Sequence, residues 1–501
     1  MKSCFQSLLI LLLFISSCTN SFKSPNRELA SRLKLDKSGY SYDPKDKSCD
    51  GFPKLDVETA PGTCLGLVLS RKKANDEKTD RSFIKPRTIV QIPNTEEFLV
   101  IDMGGWKANN GRLFWLKKDR KGEYGIHFTK FEKMLDTPHG LRVGPDGKIY
   151  VGEKGRIIRF DFVEGRPENI EVVVADLPAF EGHMHPLTQF VIDPKTYDLF
   201  INSGAPSDHC FVSGDGEYKT CPEEFSDGLG AIYRIPGKFI KDLPQGGVKF
   251  YEVTASGLRN SMAMAIHPSG KLLQGENGRD FPEFEEPYEE INVIDLADDK
   301  RGRHYGWPYC YNFNATSPEW LFEENSNSPM LKKFKKPVDC NLDGSSPEHS
   351  YQPPFILLPP HVAPLDMLYY NGRMFPEYRG HLLMSWHGHQ PTGNRIVAYP
   401  TDEGGLPILD TNFDQTTFKI DSDKGCPKTV KFTPRGGLTR SAQYTELISG
   451  WDKKDKVRPE GSPVGMFSFS LNILGSLQIN VEMKGRRLSA ITGLPSKNFK
   501  V

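Results

Sequence analysis

Apolar positions in this chain fall in short runs, each followed by a tight-turn signal and then a second run. Residues 86–105 read PRTIVQIPNTEEFLVIDMGG, turning at Pro93-Asn94. Residues 138–162 read PHGLRVGPDGKIYVGEKGRIIRFDF, turning at Pro145-Asp146-Gly147. A third unit, HPLTQFVIDPKTYDLFINSG over 185–204, turns near Pro194. A fourth occupies 257–308, where MAMAI and KLLQ are split by His267-Pro268-Ser269-Gly270. Further units lie in 361–386 and 462–491. Apolar runs this short, bounded by Pro and Gly, predict strands joined by hairpins.

The first three turns are about fifty residues apart, a spacing typical of blades made of short antiparallel strands. One blade cannot bury both of its faces, so blades must stack around an axis. The expected fold is therefore all-β: a six-bladed β-propeller over 81–501, with loop insertions such as 206–230 and 311–350. A pair of sandwiches is the alternative. The 46 Gly and 38 Pro agree with a turn-rich chain.

The N-terminus reads differently. Lys2 precedes the apolar run LLILLLFI (8–15), and Ser16-Ser17-Cys18 follows. A short apolar core ahead of small residues predicts a secretory signal over 1–17, too short to span a bilayer. The small residues before Cys18 resemble a bacterial lipobox. That resemblance implies lipid modification of Cys18, with ordinary signal cleavage nearby as the alternative. Either way the chain is expected outside the cytoplasm, periplasmic or at the cell surface. Residues 18–80 are polar and Lys-rich, and read as a tether plus an extension.

In an oxidising compartment cysteines pair. The sequential pairs 49–64, 210–221 and 310–340 would close short loops and leave Cys426 odd, although spacing alone does not fix connectivity. No Cys/His spacing suggests zinc. Lys+Arg and Asp+Glu are equal at 64 each, so no basic excess points to nucleic acid.

Chemistry concentrates around the fourth unit. Arg259-Asn260 precedes its first strand, Gly278-Arg279-Asp280 follows its second, and Tyr305-Gly306-Trp307-Pro308 closes it. The order and spacing of GLRN…HPSGKLLQGENG…EEINVI…HYGWP resemble the soluble glucose/sorbosone dehydrogenase family. These are six-bladed propellers that use pyrroloquinoline quinone (PQQ) with calcium. The likeness extends over roughly 85–491, including PPHVAPLDMLYY and FPEYRGHLLMSWHG.

The resemblance implies a site. His185 stands at the family's general-base position, with His183 as competitor; histidine suits a base working near neutral pH. Arg259 corresponds to the arginine beside the quinone oxygens, a charge that suits an oxygen gaining electrons. Asn260 corresponds to a cofactor contact. The family's calcium is held by consecutive backbone carbonyls, here those of Gly278 and Arg279, and Asp280 could add a carboxylate. His361 falls at a polar cofactor contact, and His387 or His389 near a cationic one.

Three positions depart from the pattern. Ala205 occupies the slot of the aspartate that orients the base, with Asp208 expected to substitute. Gln189 replaces an arginine. Ser462 replaces another, with Arg458 as the expected stand-in. Fewer cations around three cofactor carboxylates make glucose itself a poor expectation. The reading is an exported, lipid-anchored quinoprotein oxidising a sorbosone-type, aldose or aldehyde substrate, with an electron acceptor that the residues do not name. The alternatives are a non-catalytic propeller binding a glycan or protein partner, and a calcium-dependent lactonase.

Overall fold

A computed structural model describes residues 83–129, 135–179, 182–209, 229–283, 285–297, 303–318, 340, 351–388, 392–393, 395–412, 433–437 and 440–449, with 58–69 and short strands elsewhere. Cys18, Cys210, Cys221, Cys426, His389, Arg458 and Ser462 lie outside the described residues.

The strand–turn–strand units fold into four-stranded antiparallel meanders. Blade 1 comprises Pro86–Gln91, Phe98–Asp102, Arg112–Lys118 and Tyr124–Phe128. Blade 2 comprises Leu141–Val143, Ile149–Glu153, Arg156–Val163 and Arg166–Val174. Blade 3 holds Phe190–Ile192, Leu199–Ser203, Ala231–Ile235 and Glu252–Ser256, extended by the parallel strand Arg303–His304. Blade 4 holds Ala263–Ile266, Lys271–Glu276, Tyr288–Asp295 and Ile356–Pro360. Blade 5 holds Pro364–Tyr369, Leu382–Trp386, Arg395–Tyr399 and Thr445–Ser449.

Five blades are thus built from strands in chain order, where the sequence predicted six such units. The last unit is assembled differently. Its three strands, Phe467–Leu471, Leu477–Val481 and Arg487–Gly493, take their fourth from Thr63–Leu69. Part of the expected tether therefore belongs to the sheet system. Glu58–Thr59 likewise pairs at the edge of blade 5. Nothing local announces this, because the partners of Thr63–Leu69 lie more than 400 residues away. Disulfides Cys49–Cys64 and Cys310–Cys340 form as the spacing suggested.

Stacking explains the run pattern. Strands such as FLVID, IYVGE, LFINS and LLMSW are buried along their whole length because both faces meet a neighbouring blade. Outer strands such as RPENIEVVV are half exposed and correspondingly polar. Leu99, Ile101 and Leu113 pack on Val151, Ile158 and Phe160 between blades 1 and 2. Leu273, Ile291 and Leu358 pack on Met384, Trp386 and Val397 between blades 4 and 5. Each such side chain contributes roughly 1.5–3 kcal/mol on burial. The hairpin turn of blade 4 closes through Gly270, whose φ of +88° suits a residue without a side chain, and whose N–H bonds the His267 carbonyl at 2.9 Å.

The first strands of the blades line the axis. Phe467–Leu471 lies against the first strands of both blade 5 and blade 1, which closes the ring. Across the axis, Arg142 of blade 2 meets Asp366 of blade 5 at 2.9 Å, and Asp366 is buried. Removing one partner strands the other charge in the interior. Arg142→Met is expected to lower stability by about 3 kcal/mol in urea unfolding, and Arg142→Met/Asp366→Leu to recover most of it. A single variant within experimental error of the parent would show that the pair contributes nothing.

Candidate functional site

In an up-and-down blade, the connection after the second strand and the connection into the next blade open on the same face. His185 lies on the way into blade 3, Ala205 and Asp208 follow the second strand of blade 3, and Arg259 and Asn260 lead into blade 4. Gly278 to Asp280 follow the second strand of blade 4, His361 leads into blade 5, and His387 follows the second strand of blade 5. Topology alone therefore puts every described candidate on one face.

His185 is oriented by the backbone. Its Nδ1 sits 2.8 Å from the Ala205 carbonyl oxygen, so Nδ1 carries the proton and donates, and Nε2 keeps its lone pair. Gly204 makes this approach possible: a side-chain carbon there would fall 2.6 Å from the His185 Cβ. Ala205 is itself fixed by its N–H, which donates to the Arg259 carbonyl at 2.7 Å. Burial, and then the Arg259 charge, push the imidazole down to about 3. The ring is therefore neutral at ordinary pH. The competing His183 is buried, with Nε2 2.8 Å from the Gly204 carbonyl, and supports the same loop.

Asp208 does not orient the base as expected. Its carboxylate lies 2.9 Å from Arg259 Nε and 3.0 Å from Arg279 Nε, and accepts the Asp280 N–H at 2.9 Å. Burial raises its pKa, but the two guanidiniums and that N–H outweigh burial and hold it below the usual carboxylate range. Two arginines capture the carboxylate, and a carbonyl does the orienting in its place. The Trp307 indole anchors the same loop, donating to the Asp208 carbonyl at 2.8 Å.

Arg259 is buried beneath the face. It donates to the Asn277 carbonyl at 3.1 Å and to Asp280 at 2.6 Å. The Asp280 side chain is 66% exposed against 4% for Arg259, so a pendant carboxylate covers the outer edge of a sunken guanidinium. The N–H groups of Arg259 and Asn260 both donate to Glu276, and the Asn260 side-chain oxygen accepts from Asn202 at 3.1 Å. The Gly278 N–H donates to Glu289, whose other oxygen accepts the Ala363 N–H at 3.3 Å. The Arg279 side chain is committed to Asp208 and, at 3.0 Å, to Ser317. Among the described residues no cluster of His, Cys, Asp and Glu is suited to a metal ion. A cation at this position would rest on backbone carbonyls.

The histidines after blade 4 lie on the connections of blade 5. His361, at φ +57°, holds the Glu283 carbonyl at 2.7 Å through Nε2. His387 is half-buried and donates its backbone N–H to the Ala363 carbonyl at 3.1 Å. The two flank the same 361–363 connection. Gln189 is buried beside His139, where Arg87 and Arg142 also act, so positive charge absent at 189 is present nearby.

The TrAA12-like family model matches residues 77–441, well over half of the chain. The chain belongs to the TrAA12-like family. Over 289 residues it is 29% identical to an uncharacterized protein of Borreliella burgdorferi, covering 54% of this chain and 63% of that one. Over 287 residues it is 27% identical to the pyrroloquinoline quinone-dependent pyranose dehydrogenase of Coprinopsis cinerea, covering 52% of this chain and 36% of that enzyme. The chain thus spans less than two thirds of each curated relative. Among solved structures, the holo PQQ domain of the Coprinopsis cinerea pyranose dehydrogenase superposes with a TM-score of 0.58 at 19% identity, over 89% of this chain and 100% of that one. A calcium structure of the Trichoderma reesei family AA12 carbohydrate-active enzyme gives 0.58 at 15%, over 87% and 97%. These likenesses establish the propeller fold.

Several buried acids beside these residues escaped sequence reasoning. Glu276, Glu289 and Glu290 are buried together at the end of blade 4. Burial raises Glu276 to about 7 and Glu289 to about 8, against the opposing pull of backbone N–H groups. For Glu289 and Glu290 a signal was present: two adjacent acids inside the strand YEEINVID, which is buried over its first five residues.

Two measurements test these assignments. Nitrogen-resolved NMR of His185 is expected to show a bare Nε2 at pH 7 that stays bare well below pH 6; an imidazolium at pH 6 would contradict the geometry. For Glu289, the folded state holds a proton that the unfolded state releases, so stability falls as pH rises from 4.5 to about 8. Glu289→Gln should make that decline shallower by about one proton, read from unfolding midpoints across the window. An unchanged slope would mean that Glu289 is ionised in the fold.

Proposed function

We propose that the protein is a PQQ-dependent dehydrogenase that oxidises a sugar hydroxyl or hydrated aldehyde, with His185 Nε2 as the general base. One observation carries the reading: a neutral imidazole with its lone pair available stands on the same face as a buried guanidinium, and the backbone of Ala205 links the two residues. Family membership supports the sugar chemistry.

The residues present fit the cofactor. Arg259 offers charge that an incoming oxygen could take over from exposed Asp280. Asn260 contributes amide chemistry, His361 and His387 stand on the same face, and Arg458 remains a candidate cation outside the described residues. The carbonyls of Gly278 and Arg279 would hold calcium. Bound PQQ would supply the electrophilic carbonyl that accepts hydride. The chain's own part is to remove the hydroxyl proton at Nε2, so that C–OH becomes C=O as hydride leaves the same carbon. The imidazolium formed keeps its Nδ1–H on the Ala205 carbonyl, a neutral acceptor where a carboxylate would be stronger.

We also infer export and a lipid anchor at Cys18, supported by the 8–18 sequence and by disulfides typical of an oxidising compartment. Adding PQQ and calcium to the purified protein should give a quinone absorbance change and dye-linked oxidation across a pyranose panel. His185→Ala should bind PQQ yet lower kcat by about 10²–10⁴-fold. No absorbance change and no turnover on any sugar would refute the assignment.

A further inference from the structure

Trp106 is 61% exposed, more than any other large apolar side chain among the described residues. It sits in the connection after the second strand of blade 1, on the same face as His185. Isolated exposed apolar residues are ordinary. This one differs in how firmly its loop is built.

Buried Asp102 accepts three backbone N–H groups, from Ile84 at 2.6 Å, Lys85 at 2.9 Å and Gly104 at 2.7 Å. The Met103 N–H bonds the Lys85 carbonyl at 2.9 Å, and Asn110 donates its amide to the Gly104 carbonyl. Gly104, at φ +68°, has no space for a side chain against Asn110. The loop is therefore rigid, and it holds an indole in water where burial would contribute roughly 1.5–3 kcal/mol. Lys85 Nζ lies 4.8 Å and the Arg87 guanidinium 5.7 Å from the ring centroid, within cation–π range. Arg87 in turn acts on His139 beside Gln189, four residues from His185. Trp106 thus stands on the face that carries the His185 connection, joined towards it through Arg87 and His139.

We propose that Trp106 is a second sugar-binding subsite, stacking the apolar face of a neutral pyranose ring. The substrate class is then a linear oligosaccharide: the reacting unit lies at His185 and a further unit on the indole. A flat aromatic face pinned on a stiff loop suits the C–H face of a pyranose, and ordering it costs little entropy. This rests on the sugar-oxidation reading, and the test separates the two.

Binding is measured by calorimetry without PQQ, using glucose, xylose and mannose and their linear oligomers of two to four units, with the Trp106 indole N–H followed by NMR. The expected result is tighter binding of at least one oligomer series than of its monomer. Trp106→Ala should weaken that oligomer about tenfold, near 1.4 kcal/mol, Trp106→Phe should restore most of it, and the monomer should be unaffected. In the reconstituted enzyme the same variant should raise KM for the oligomer and leave kcat on the monomer unchanged. If no oligomer binds more tightly than its monomer, or the ratio is unmoved by Trp106→Ala, the subsite is refuted while oxidation of monosaccharides stands. If oligomers bind through Trp106 but nothing is oxidised, the subsite holds and the dehydrogenase reading falls.

Discussion

The backbone of Ala205 is the constraint on which the site depends. Its carbonyl holds His185 in one tautomer, and its N–H binds the carbonyl of Arg259. One residue therefore sets the base and the guanidinium relative to each other without using a side chain. The geometry in turn requires Gly204 beside it, since a side chain there would collide with the imidazole. Similar stitches run from blade to blade: Thr88 to His139, Gly140 to Thr188 and Asn277 to Pro364. The face behaves as one hydrogen-bonded collar, and the blades beneath supply its rigidity through face-to-face packing.

The charge arrangement has the same economy. Asp208 and Asp280 balance Arg259 and Arg279 within a few ångströms, which lets two buried guanidiniums exist at all. Burial raises the glutamates below, Glu276 and Glu289 against the pull of backbone N–H groups and of Arg259. Positive charge is thus present on this face but held in check by a carboxylate that solvent can reach. An anionic guest has only to displace that exposed group, not to rebuild the floor.

Much of this was legible from the residues. Pro and Gly turns marked the hairpins because a strand pair must be closed by special backbone geometry. The 257–308 motif singled out Arg259 and Asn260, which lead into blade 4 on the face that holds His185. What sequence could not reveal were roles carried by backbone atoms and by distant partners. Ala205 looks like the loss of an orienting acid, because a carbonyl leaves no mark in a side-chain alphabet. Asp208 looked like its replacement by proximity, yet two arginines from separate loops claim it. TCLGLVL looked like part of a tether because its strand partners come from the other end of the chain.

That last pairing also governs how the molecule can be made. The strand Thr63–Leu69 emerges early in synthesis but finds its neighbour only after Arg487–Gly493 has been added. Until then the first sheet edge stays unsatisfied and the wheel remains an open arc. Loop-closing contacts of such sequence separation form late and slowly. Closure is therefore a terminal event, and a protein lacking either of these strands would present raw edges where their pairing forms a latch.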